Sequence, residues 1–297
     1  MSSLEIKSWQ VFPSEGGEAL AFDGERMAVG GQARLSVWEG QRRLASMDAP
    51  TPAPGRPRFA GERVCWGPGI FDLASGSYTL VQEALPRVQP GRGERPHVYA
   101  WSPRGERLLG SFSTGDSLCP VRVRMFGVQS GNAAATLWEG SGLPPSAAWL
   151  GESAAVIGFG DPKVFDDEGK HLADIPLGGG TIASIEATHD EHRLIIVDLN
   201  RSLALIETES WTVLDSWSGP WLHGAVSSDG RFVAVLEHWG KLHFACLEGD
   251  RFKPVGEAAA DSRAVALALA TGEIATVGGG EVRRAGLKVD CATTATP

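Results

Sequence analysis

The chain offers little material for covalent or metal chemistry. Its four cysteines, Cys65, Cys119, Cys246 and Cys291, stand far apart with no CxxC pair. Neither a disulfide framework nor a zinc knuckle is expected, and reduced thiols are the simplest reading. No GxSxG nucleophile elbow occurs. The GGG runs at 178–180 and 278–280 lack the Lys-Ser/Thr that completes a phosphate loop, and read as tight turns. The longest apolar run, Ala264 to Ala270, is far too short for a membrane-spanning helix. The opening MSSLEIKSWQ has no basic region followed by an apolar run, so no secretory leader is expected. Excess positive charge is missing too. Against 36 Asp and Glu stand 27 Lys and Arg, a net charge of −9, which repels a phosphate backbone and sets nucleic acid aside. These absences point to a cytoplasmic protein without membrane contact.

Glycine is plentiful at 38 and proline at 18, while charged residues make up only 21%. That balance favours many short strands joined by tight turns. Residues 227–245, SSDGRFVAVLEHWGKLHFA, show the unit. A Ser-Ser-Asp-Gly turn leads into an alternating strand from Arg231 to Leu236, and a second turn at Trp239-Gly240 leads into another from Lys241. Asp-Gly supplies the positive φ a hairpin needs, and alternation marks strands with two different faces. The unit recurs at 21–38, 101–112, 149–166 and 268–285, and more weakly at 59–72 and 187–206, where Glu191 replaces the turn glycine. The turn anchors Gly24, Gly61, Gly105, Gly151, Glu191, Gly230 and Gly272 are separated by 37, 44, 46, 40, 39 and 42 residues.

This pattern resembles WD40-type propeller repeats across nearly the whole chain. Residues 227–245 and WSPRGERLLGSF at 101–112 carry the likeness best. Trp38-Glu39, Phe71-Asp72 and Phe165-Asp166 stand at the family's Trp-Asp position, and its Gly-His dipeptide is absent. The resemblance implies an all-β fold: a single seven-bladed β-propeller over residues 1–297 with four-stranded antiparallel blades. An unclosed ring would expose two sheet edges. The spare strand Leu4 to Phe12 is expected to close it on the strand from Val282 to Leu287, leaving a short tail from about 290. The proline-rich 49–57 stretch reads as a loop between blades.

Two features invite a metal. His189 and His192 flank Asp190-Glu191, but on a hairpin turn, where polar side chains are simply solvated. The starts of the innermost strands, Glu18, Arg58, His97, Ser146, Thr181, His223 and Arg263, face the central channel. One carboxylate makes a poor calcium site and two separated histidines a poor zinc site. The mixture suits an anion or an acidic peptide, so no metal and no cofactor are expected. Cys119, in a long loop within its unit, is a candidate reactive thiol with no visible activating neighbour. The expected function is that of a non-catalytic interaction scaffold, monomeric by itself. The alternative is a propeller enzyme of hydrolase or lyase type working at the channel mouth. Two sets of loops share one rim of a propeller, and there the sequence places Arg58, His97, Lys163, Arg201, Trp221, His223, Trp239, Lys241 and Arg263. A cationic, tryptophan-bearing rim on an acidic protein is expected to dock an acidic segment of another protein.

Overall fold

The anchor turns fold as their residues require. In a computed structural model, which describes residues 3–14, 16–31, 33–49, 55–86, 93–114, 121–128, 135–140, 146–158, 160–188, 190–199, 202–270 and 272–291, Gly230 adopts φ 67°. Asp229 Oδ1 accepts the N–H of Arg231 at 3.1 Å, and Ser227 Oγ accepts that of Phe232 at 3.1 Å. The same bonds form around Thr188 and Asp190 in the following of the two weaker repeats. There Glu191 takes the left-handed place, at φ 63°. That conformation costs a residue with a Cβ about 1–2 kcal/mol.

Each anchor joins the two inner strands of a blade, and seven blades form. Blade 1 comprises Gly17–Asp23, Arg26–Gly31, Arg34–Glu39 and Arg42–Asp48; blade 2 comprises Arg58–Ala60, Arg63–Trp66, Gly69–Asp72 and Tyr78–Leu80. Blade 3 comprises Glu94–Trp101, Arg107–Thr114, Val121–Gly127 and Ala135–Gly140; blade 4 comprises Ser146–Leu150, Ala154–Gly158, Lys163–Asp166 and His171–Asp174. Blade 5 comprises Ile182–Ala187, Arg193–Asp198, Ser202–Glu207 and Val213–Ser218; blade 6 comprises Trp221–Val226, Phe232–Glu237, Lys241–Glu248 and Arg251–Ala259. Blade 7 takes Ala264–Ala270, Glu273–Gly278 and Glu281–Asp290 from the end of the chain and its outer edge from the beginning.

The alternation read in the sequence serves two interfaces at once. On the second strand of blade 6, Phe232, Ala234 and Leu236 pack towards blade 7, while Val233 and Val235 pack towards blade 5. Apolar clusters join every pair of neighbouring blades in this way, the seventh-to-first interface included, where Ala268 and Val277 meet Met27 and Val29. Tryptophans add directed bonds between blades. Trp101 Nε1 donates to Gly67 O at 2.8 Å, and Trp149 Nε1 to Ala100 O at 3.0 Å.

The amino-terminal segment closes the ring as expected, but as two short strands. Ser3–Ile6 and Gln10–Pro13 both pair with Glu281–Asp290, through Leu4↔Val289, Ile6↔Leu287 and Phe12↔Val282. Phe12 then packs against Trp38 of blade 1, with ring centres 5.4 Å apart. The expectation of reduced cysteines needs correcting. Cys246, on the third strand of blade 6, is bonded to Cys291, with Cα atoms 5.7 Å apart. A gap of 45 residues in sequence becomes adjacency because the last strand ends beside blade 6. Such bridges persist in oxidising surroundings, so the cysteines no longer argue for the cytoplasm. Cys65 is free and buried, its thiol pushed up to about 12 by burial. Cys119 and His189 lie outside the described residues. Among the described residues no helix is long and apolar enough to cross a membrane.

Removal of residues 1–12 is expected to lower the melting temperature sharply and to cause aggregation, because it bares the strand edge at Glu281–Asp290; a truncated chain that melts like the whole one would refute this closure. Cys291→Ser should cost about 2–4 kcal/mol in denaturant unfolding, and reductant should destabilise the parent protein but not the variant. Glu191→Gly should stabilise the fold by about 1 kcal/mol by removing the left-handed strain, read as a higher midpoint in the same titration.

Candidate functional site in the channel and on its rim

Seven blades around one axis turn seven free strand edges inward, so the channel wall presents unpaired backbone N–H and C=O groups. Five of the innermost strands carry a register shift near their start, between Gly17/Ala19, Pro96/Val98, Ile182/Ser184, Trp221/His223 and Ala264/Ala266. Such bulges re-aim side chains. Here they leave Glu18, His97, Ala183 and Val265 among the lining of a cavity of about 890 Å³. Five of the seven positions expected to face the channel do line it: Glu18, Arg58, His97, Ser146 and His223.

The chain arriving at blade 2 is forced against the channel wall. Gly55 bridges Tyr99 of blade 3 in parallel at φ 126°, and a Cβ there would run into the Tyr99 carbonyl. This carries Arg56 into the lumen. Its Nε donates to Leu20 O of blade 1 at 2.7 Å, and its guanidinium pairs with Glu186 of blade 5. The side chain thus bars the channel. Walled in by the blades, it is held down to about 10 by burial and then by the charge of Arg58. Arg58 lines the same cavity, is lowered by burial, and makes no hydrogen bond or ion pair to any described residue. Burial, and then the charge of Arg56, hold His223 down to about 3, so its ring is neutral at pH 7. Its Nδ1 is buried with no partner. His97 Nε2 lies 2.6 Å from Ser113 Oγ, and burial followed by the Arg95 charge lowers its pKa. No three His, Cys, Asp or Glu side chains among the described residues converge as a metal would require.

The rim differs from expectation in three ways. Trp221 is not on it: the residue is 3% exposed, donates to Trp217 O at 2.8 Å and stacks edge-on with His243. It fills the blade because it is the first residue of an innermost strand, not part of a loop. Arg58 is set down in the channel. Hairpin register places it level with Ala21 of blade 1, three residues past Glu18, since the innermost strand of blade 2 has only three residues. Most importantly, the rim cations are paired. Lys163 bonds Asp174 at 2.8 Å, Lys241 bonds Glu257, and Arg263 bonds Asp261 at 2.9 Å. Each carboxylate comes from the adjoining strand or loop, where cross-strand register aligns opposite charges. Arg201 lies outside the described residues.

Trp239 is on the rim and 86% exposed. It sits third in a turn closed by Gly240 N–H to Glu237 O at 3.2 Å, with φ 87°. Positive φ at that position normally calls for Gly, and an aromatic there is strained. Beside it a groove of about 760 Å³ runs past Lys241, Glu257, Asp261, Arg263 and Arg283. Two further apolar side chains surface at the same end, Leu199 in the matching loop of blade 5 and Val265 in the bulge of blade 7. The other exposed large hydrophobics among the described residues, Val11, Leu44, Leu172 and Val213, lie on outermost strands. The opposite rim instead shows polar networks such as Asp23–Arg26–Glu62. From the sequence Arg56 reads as a rim cation on the loop entering blade 2, not as a group in the channel, and Glu186 is not singled out. The Gly-Arg-Pro-Arg run at 55–58 was the only signal for Arg56, and nothing local marks Glu186 as its partner.

No family model matches the chain, and no curated protein matches it in sequence. Among solved structures it is similar to the β-propeller domain of Cps50 (Swd1) from Myceliophteria thermophila, with a TM-score of 0.72 at 11% identity, over 93% of this chain and 99% of that one. The likeness is one of fold, and with the seven antiparallel sheets it identifies the architecture as a seven-bladed β-propeller.

Proposed function

We propose that the protein is a non-catalytic interaction module that docks a segment of another protein on the rim bearing Trp239. The observation that carries this reading is the strained, almost wholly exposed indole above a groove, with Leu199 and Val265 at the same end in the two adjoining blades. Strain of this kind is kept where function uses it, and tryptophan is a favoured interface anchor. An apolar side chain of the partner would cover Trp239, and acidic residues beside it would enter the ion pairs of Lys241 and Arg263. The Lys241–Glu257 pair is solvent-exposed, so exchanging it costs little; at the other pair only the guanidinium is exposed and Asp261 is buried, so an incoming carboxylate would share Arg263 with Asp261 rather than displace it. Lys163 would extend the same contact to blade 4. The enzyme alternative has a weaker footing. Ser113, the hydroxyl beside His97, is buried away from any substrate, at 3% exposure.

Affinity capture from the native host, followed by titration of the captured partner, tests this. Trp239→Ala should weaken binding by roughly 2 kcal/mol, about 30-fold, and rising salt should weaken it further. Glu62→Ala, on the opposite rim, should leave affinity unchanged. The reverse pattern would move the interface to the other face.

A further inference from the structure

The channel holds a second, independent feature. Arg56 and Arg58 stand two residues apart on one extended segment, so both side chains lie on the same side of it. Only one carboxylate, Glu186, bonds the pair. The other acidic groups of the lining are engaged or remote: Asp23 is bonded to Arg26, and Glu18 is exposed near the start of its strand. Glu152 and Glu191 act on Arg58 through their charge, but neither bonds it; Glu152 accepts the N–H of Arg104 at 2.5 Å through Oε1, and its Oε2 is buried with no partner among the described residues. The charge of Arg58 lowers the pKa of Arg56, so the two cations repel each other across the lumen. The Arg58 side chain is part-buried, and among the described residues no carboxylate bonds it, so a bound anion would relieve that repulsion. His223 lines the same cavity with a neutral ring and adds no third positive charge. The cavity, at about 890 Å³, is of the size that small ligands occupy.

We infer that the channel is a binding site for a small oxyanion, a carboxylate or phosphate group, held between Arg58 and Arg56. A planar guanidinium takes two oxygens of such a group side by side. The site needs nothing from the Trp239 rim.

Calorimetric titration of the full-length protein with inorganic phosphate and, separately, with succinate tests the site, with chloride at equal ionic strength as control. One or both anions should bind, and the tighter one assigns the head group. Arg58→Gln should weaken that binding at least tenfold, whereas Trp239→Ala should leave it unchanged. Should Arg58→Gln fail to fold by circular dichroism, Arg58→Lys takes its place. It keeps the charge but loses the two-point contact, and should still bind severalfold more weakly. Absence of heat above the chloride control for both anions, or undiminished binding in the folded Arg58 variant, overturns the proposal.

Discussion

Ring closure is the constraint on which the rest of this structure depends. Each blade is a sheet with two apolar faces, and each face is satisfied only by a neighbour. Seven blades in an open row would leave two such faces and two strand edges in water. The pairing of Ser3–Ile6 and Gln10–Pro13 with Glu281–Asp290 covers the open edge of that strand and supplies the outer strand of blade 7. The same segment brings Phe12 into the interface with blade 1, so one short stretch satisfies backbone and side chains together. The Cys246–Cys291 bond then ties the end of the closing strand to blade 6. It sits where fraying would begin.

Closure also dictates what lies at the centre. The inner edges of the sheets lack a neighbouring strand apart from the bridge between Gly55 and Tyr99, and their backbone groups are left to side-chain donors such as Arg56 or to solvent. Into the channel the chain sends an unusually large charged group. Blade 2 has the shortest innermost strand of the ring, and the segment before it leans on blade 3 through Gly55 instead of extending the sheet. The result is Arg56 spanning from the blade 1 backbone to Glu186. A weak blade thereby becomes the source of the channel chemistry.

The two ends of the propeller are unlike for a related reason. The turns between the first and second strands are short, and in blades 5 and 6 they are held by Ser/Thr and Asp side chains, which leaves polar ends exposed. The loops at the other end join second to third strands and one blade to the next, and they have room for Trp239, Leu199 and Val265. An indole on a left-handed backbone adds nothing to folding there. Its exposure and its strain are the two observations on which the proposed docking surface rests.

Seven anchors, their even spacing and the alternation between them were enough to read the blades, the four-stranded sheets and the closing strand, because hairpins are local and their turns need particular residues. Trp239 was legible for the same reason: it lies in such a turn. The disulfide, the placement of Trp221 inside blade 6, the pairing of the rim cations and the Arg56–Glu186 bar were not. The disulfide and the Arg56–Glu186 bar join residues that only the circular arrangement brings together, whereas the rim ion pairs are local and follow from strand register within one hairpin or loop. Cys246 meets Cys291, and Arg56 of blade 2 meets Glu186 three blades on, through the geometry of a closed ring. Local turn and strand chemistry is written residue by residue along the chain, whereas pairing between blades and burial depend on distances across the axis that no spacing in the sequence encodes.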